Sequence, residues 1–214
     1  MFKDRINLVK NKLEELDLDA LMVLSSDGHL NEYLPLHNRR LKAISGFTGS
    51  AGTVVIMREG RSHLFVDSRY HIQAEEECMS LFEVHKLGME GVFDAHKWIA
   101  QQDLKPLKIA VAPYTITPKQ WKRYQASWEK AGHTWAVLEE NLVDHVWDNR
   151  PNSVNHTLYP LGEELTGESS SSKLQKIRKK MNQEGADVLV LSMLDEIAWL
   201  TNLRGSDVAH NPVF

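Results

Sequence analysis

Phe2, Ile6, Val9, Leu13 and Leu16 recur at steps of three and four, which predicts a helix with one apolar face over residues 2–16. Ala20-Leu-Met-Val-Leu24 is apolar throughout and short, the pattern of a buried strand. Residues 26–39 are polar and predict a loop. Thr53–Met57 and His63–Asp67 are two strands around Arg58-Glu-Gly-Arg61, a hairpin turn. Helical patterning follows over 68–78 and Val92–Gln101, with strands at Leu81–His85 and Lys108–Ala112. Thr117-Pro118 opens a helix with proline at its first position; the helix carries Trp121, Tyr124 and Trp128 and stops near Gly132. Strands interleaved with helices predict an α/β domain over residues 1–150. Its sheet is mixed, because a hairpin is antiparallel while helical crossovers give parallel neighbours.

Apolar periodicity lapses over residues 149–172, where Pro, Asn, Gly and Ser dominate; this is linker composition, assigned to 151–172. A second segment, 173–214, begins with a helix over Lys173–Gln183 and an apolar strand at Val188–Leu191, followed by a short helix near Asp195–Leu200. It repeats the opening of the first. Ala20–Ser25 aligns with Asp187–Ser192, and Ile44-Ser-Gly-Phe-Thr-Gly-Ser50 with Leu200-Thr-Asn-Leu-Arg-Gly-Ser206. The longer spacer in the first copy marks an insertion around Asp27–Leu36. The expectation is a duplicated domain whose second copy is truncated.

Composition narrows the class. The 214 residues are 42% hydrophobic and 25% charged, with a formal net charge of -4, which argues against nucleic acid or an anionic membrane as partner. One cysteine, Cys78, cannot form an internal disulfide and fits a reducing, cytoplasmic setting. Charges at Lys10, Lys12, Glu14 and Glu15 exclude a signal-peptide core, and no run approaches the ~20 apolar residues of a membrane span.

Few residues suggest chemistry. Gly46-Phe-Thr-Gly-Ser-Ala-Gly52 has neither the lysine of a phosphate loop nor the spacing of a dinucleotide fingerprint, and reads as a tight turn whose glycines supply positive φ. Arg69, in Asp67-Ser-Arg-Tyr70, lies where a strand hands over to a helix, at the edge of the sheet where α/β proteins often bind ligands; otherwise it is a surface arginine. His71 and Glu75 share a helix face, but two donors do not make a metal site, and the other histidines show no ligand spacing, so no metal is expected in this chain. Cys78 reads as a small packing residue, and the basic run Lys173–Lys180 as a solvated helix face.

Several stretches together resemble a known family. Ile44–Thr53 and Val66–Ala74 are similar to the first domain of the three-domain Xaa-Pro aminopeptidases, and Glu140–Asp144 with Val146–Pro151 to that domain's exit. Leu194–Leu200, Asn202–Asp207 and His210–Phe214 resemble the start of the second domain. The resemblance implies a creatinase N-terminal-like fold for both segments. It implies a parent enzyme that removes an N-terminal residue when proline is the next one, using two divalent metals, usually manganese, in a third domain. It further implies that these segments wall the peptide cleft and help form a homodimer, and that Arg69 occupies the position of a substrate-binding arginine. That catalytic domain would begin beyond Phe214, so the chain alone is expected to be inactive. A stand-alone module of the same fold, without a catalyst, is the alternative.

Overall fold

The amphipathic opening forms α1, Phe2–Glu15, which buries Ile6, Val9 and Leu13. It also buries Arg5, whose guanidinium donates to the Ala43 carbonyl at 2.8 Å and to Asn149 Oδ1 at 2.7 Å. The helix closes through Asp17, at φ 52, with the Leu18 amide donating back to the Leu13 carbonyl at 2.8 Å. In this computed structural model, which describes residues 1–102, 105–112 and 114–214, the chain then enters β1, Ala20–Leu24.

β1 is central to a six-stranded sheet. It pairs antiparallel with β2, Thr53–Met57, and parallel with β5, Lys108–Val111. β2 continues antiparallel into β3, Ser62–Val66, as the hairpin predicts, and β3 runs parallel to the edge strand β4, Phe82–Lys86. On the other side β5 runs parallel to β6, Thr134–Val137. The sheet is therefore mixed. Between β1 and β2 the chain forms a 3-10 turn, Leu36–Asn38, and α2, Arg40–Ser45. A second 3-10 turn, Ser68–Tyr70, and α3, His71–Cys78, follow β3.

α4 spans Ala95–Ala100, shorter than its periodicity suggests, because Asp94 caps it by accepting from the Lys97 amide. α5, Pro118–Lys130, starts at a reciprocal capping box between Thr117 and Gln120. α6 is Leu142–Val146.

Successive strand residues face opposite sides, so the fully apolar β1 serves two cores. On one face Leu21 and Val23 meet Val9, Leu13, Ile44 and Phe47; on the other Ala20 and Met22 meet Ile99, Ile109 and Trp128. Each Val, Leu, Ile, Phe or Met among them, fully buried, contributes about 1.5–3 kcal/mol.

The described residues divide into two compact units: Met1–Gly28 with His37–Pro151, and His29–Leu36 with Asn152–Phe214. The insertion marked by the repeat alignment is thus the excursion that joins the second unit. That unit contains β7, Tyr159–Pro160, antiparallel to β8, Leu203–Arg204, and three helices: α7, Glu163–Thr166; α8, Ser170–Glu184; and α9, Leu194–Thr201. β7, α7 and the first turn of α8 lie where the composition reads as linker; Ser169, part of the serine run, caps α8 by accepting from the Ser172 amide.

Val188–Leu191 departs from expectation. It is not a strand, and Val188 and Val190 are 77% and 83% exposed. An apolar run becomes a strand only where neighbours take up its backbone hydrogen bonds, and no described strand flanks this one. Lys173 departs in the opposite sense. It is buried rather than solvated, its ammonium donating to the Trp199 carbonyl at 2.8 Å and to Asn202 Oδ1 at 2.6 Å. Among the described residues, no helix is long and apolar enough to cross a membrane.

Candidate functional site

Arg69 sits where β3 passes into α3. Asp67 caps the turn, accepting from the Arg69 amide at 3.1 Å, and the same carboxylate takes Arg69 Nε at 2.9 Å and Nη2 at 2.8 Å. Those hydrogen bonds from Arg69 hold the Asp67 carboxyl below its usual range. The arginine side chain is 61% exposed and its guanidinium lies 5.1 Å from the centre of the Tyr70 ring. Tyr70 Oη shares a 2.8 Å hydrogen bond with Ser50 Oγ, which draws its pKa down. The result is a polar, solvent-facing corner with a fixed backbone and a cation at its tip.

The glycine segment shapes the same corner, though only in part through φ. Gly46, at φ 82, ends α2 in the left-handed conformation, as a turn glycine should. Gly49 has no positive φ. A Cβ there would lie 2.3 Å from the Phe47 ring and 2.9 Å from Tyr70, so its role is to let those rings approach. Thr48 beside it is fixed by Glu77, which accepts from its amide at 2.8 Å and its hydroxyl at 2.6 Å.

A cavity of about 420 Å³ lies elsewhere in the first unit, lined by Arg40, Asp144, Arg150, Tyr114 and Glu140 among others. Asp144 receives Arg40 bidentately at 2.7 and 2.8 Å and Arg150 at 3.0 Å. One carboxylate therefore answers two guanidiniums, and Arg150 also donates to the His37 carbonyl at 3.0 Å. This network ties down the exit motif, Val146–Pro151, and is read as structural.

The remaining candidates resolve simply. His71 bonds the Leu87 carbonyl at 3.2 Å and Glu75 pairs with Lys86 at 2.8 Å, so they are not co-ligands. Cys78 is buried, and burial pushes its thiol up to about 12, which makes it inert as a nucleophile. Sequence spacing missed one cluster: His63 and His85 approach to 3.0 Å with Glu83 beside them. Their separation along the chain hides a contact that exists only through the parallel β3–β4 register.

Comparison with known proteins places this geometry. Residues 5–144 match the model of the Creatinase/Prolidase N-terminal domain. The chain belongs to that family. Residues 149–214 match a second model of the same description, so both segments carry the family's signature. A Neurospora crassa protein named probable Xaa-Pro aminopeptidase P is 35% identical over 99% of this chain and 31% of its own length. The crystal structure of X-prolyl aminopeptidase from Caenorhabditis elegans, described as a cytosolic enzyme with a di-nuclear active site, is 27% identical with a TM-score of 0.92, covering 100% of this chain and 36% of that one. The N-terminal domain of peptidase PepQ from Mycobacterium tuberculosis, 20% identical with a TM-score of 0.51 over 67% of this chain and 98% of its own, shares the fold. This chain spans about a third of the length of the aminopeptidase relatives it matches.

Two family segments in one chain should share local geometry, and they do. Ser45 Oγ donates to the Leu41 carbonyl at 2.6 Å and accepts from the Phe47 amide at 3.1 Å. Thr201 Oγ1 donates to the Ile197 carbonyl at 2.8 Å and accepts from the Leu203 amide at 3.3 Å. The next residue is left-handed in both, Gly46 at φ 82 and Asn202 at φ 56. These are the positions the repeat alignment equates. At the earlier helix ends, Gly185 at φ 65 and the bond from the Ala186 amide to the Met181 carbonyl at 2.9 Å reproduce Asp17 and Leu18, which moves that part of the alignment by one residue.

A di-nuclear centre does not fit the donors of the described residues. Among the described residues one group could hold a metal, His63, Glu83 and His85, and three donors do not bridge and enclose two ions. No step of peptide hydrolysis is therefore assigned to these side chains.

Proposed function

We propose that this chain is the amino-terminal part of an Xaa-Pro aminopeptidase, with residues 1–150 as a first creatinase-type domain, 151–172 as linker and 173–214 as the start of a second. The observation that carries the reading is the match along nearly the whole chain, 35% identical to the Neurospora crassa protein, which is about three times as long. In this reading the enzyme is cytoplasmic and homodimeric, and acts on peptides with proline second. Two divalent ions, manganese by preference, supply an activated hydroxide in a segment outside this chain. The residues described here contribute by binding and orienting peptide.

Arg69 is the proposed substrate contact. Its guanidinium is exposed, with the Nε and Nη2 edge held by Asp67, so a peptide carboxylate or carbonyl would share or displace that carboxylate, and the Asp67 cap keeps the backbone beneath it fixed. Binding energy at that distance from the scissile bond aligns the bond without touching the metals.

The test has two arms. The purified chain, supplied with manganese, should release no N-terminal residue from an Xaa-Pro-Xaa peptide above a metal-only blank. In the enzyme carrying the remaining sequence, Arg69→Ala should lower kcat/KM by roughly tenfold, the worth of one charge-assisted hydrogen bond of about 1.5–3 kcal/mol, with metal content unchanged. Turnover by the chain alone would refute the division of labour; wild-type kcat/KM in Arg69→Ala would refute the arginine's role.

A further inference from the structure

We propose that His63, Glu83 and His85 form a binding site for one zinc-class divalent transition-metal ion at the free edge of the sheet. The register creates it. β3 and β4 run parallel with His63 opposite Glu83 and Phe65 opposite His85, so all three donors project from one face. β4 is the outermost strand on that side, which leaves the face open laterally.

The distances suit an ion. His63 Nδ1 is 3.0 Å from His85 Nε2 and 3.7 Å from Glu83 Oε2, and His85 Nε2 is 3.8 Å from Glu83 Oε1. Zinc bonds of about 2.0–2.2 Å in a tetrahedron place donors about 3.3–3.6 Å apart, so the three need move only by tenths of an ångström. Glu83, 55% exposed in its side chain, can make that adjustment by rotation. The imidazoles are already held. The Trp98 ring packs 4.1 Å from His63, and Phe65 stacks on His85 at 4.3 Å with 10° between planes. This packing fixes the ring planes before any ion arrives. Arg61 is the opposing charge near His63, and it is engaged by the carbonyls of Met79 and Phe82.

Two imidazoles and a carboxylate are a donor set for zinc, with cobalt as its spectroscopic substitute, rather than for magnesium or calcium, which prefer oxygen. The proton balance is simple. In the metal-free pair, one ring nitrogen carries the hydrogen shared between His63 and His85. On coordination that ring passes to the tautomer protonated at its other nitrogen, so both ligands stay neutral and no net proton is released. Three protein donors leave one tetrahedral position for water.

The experiment is titration of the chain with Co²⁺ and Zn²⁺, read by visible absorption, calorimetry and Tm, in parallel with Glu83→Gln and His85→Gln. The expected result is one equivalent of Co²⁺ with the intense absorption of a tetrahedral site, a Tm raised by Zn²⁺, and affinity at least about tenfold weaker in either variant. Glu83 is exposed, so Glu83→Gln should keep the metal-free Tm and circular dichroism of the parent, and it decides the matter if His85→Gln folds poorly. Octahedral Co²⁺ spectra, no Zn²⁺ effect on Tm, or binding indistinguishable between the parent and Glu83→Gln would reduce the cluster to a hydrogen-bonded histidine pair. None of these readouts involves peptide turnover, so failure here leaves the peptidase reading intact.

Discussion

The two units share a local plan and differ in what holds them. In the first, a sheet is apolar on both faces, and Phe47, Trp128 and Leu21 are fully buried. In the second, the buried apolar cluster among the described residues is Ala198, Val208 and Val213, and the organising group is a lysine. Lys173 satisfies Trp199 and Asn202, and Asn202 Nδ2 reaches Thr166 Oγ1 at 3.2 Å and the Glu168 carbonyl at 2.8 Å. The same helix-end geometry thus serves an apolar core in one case and a polar hub in the other.

If that contrast is right, substitutions should separate the units by size of effect. Phe47→Ala, in the first core, should cost about 3–5 kcal/mol in denaturant unfolding; a loss below ~1 would mean the sheet is not the dominant core. Lys173→Met should cost less, about 1–3 kcal/mol, because it strands the Trp199 carbonyl and Asn202 Oδ1. The loss should appear as faster amide exchange over residues 166–205, with β1 to β3 unchanged; uniform acceleration would show that the units do not open separately. Ser45→Ala and Thr201→Val probe the shared geometry directly. Each should cost about 1 kcal/mol, in its own unit, measured by exchange at Phe47 and Leu203. Unequal effects would make the repeat a resemblance of shape without equal energetic weight. The smallest effect belongs to Arg69→Ala, which should shift stability by less than about 0.5 kcal/mol because the side chain is exposed. A larger loss would assign the Asp67–Arg69 pair to the fold rather than to a ligand.

What could be read from sequence was local or strictly periodic. The α1 stripe, the hairpin over 53–66 and the Thr117-Pro118 helix start are written in neighbouring residues, and each forms with boundaries within a residue or two of the pattern. Val188–Leu191 looks as strand-like as β1, but pairing is a property of partners, which the run does not encode. The burial of Lys173 escaped the pattern for a similar reason, since a basic helix face says nothing of an asparagine that meets it from another element. The corner around Arg69 was legible as a strand-to-helix handover. The sequence did not reveal that Asp67, two residues away, both caps the turn and clamps the guanidinium; that took the geometry of the folded turn. The His63–Glu83–His85 cluster needed the β3–β4 register, which no spacing rule supplies.

The excursion at residues 29–36 has a consequence for the order in which the protein is made. His29 meets the Ser192 carbonyl at 2.9 Å, and Tyr33 meets the His210 ring at 5.6 Å. Both partners lie far downstream of the loop in the chain. At about 5–20 residues per second, a ribosome needs roughly 10–35 s to travel from this loop to those contacts. The first unit can close its sheet during that interval, since its strands end at Val137, while the loop looped out between β1 and α2 awaits residues not yet translated. Nascent chains arrested near residue 155 should therefore protect the β1–β5 core from protease and leave residues 29–36 open to cutting.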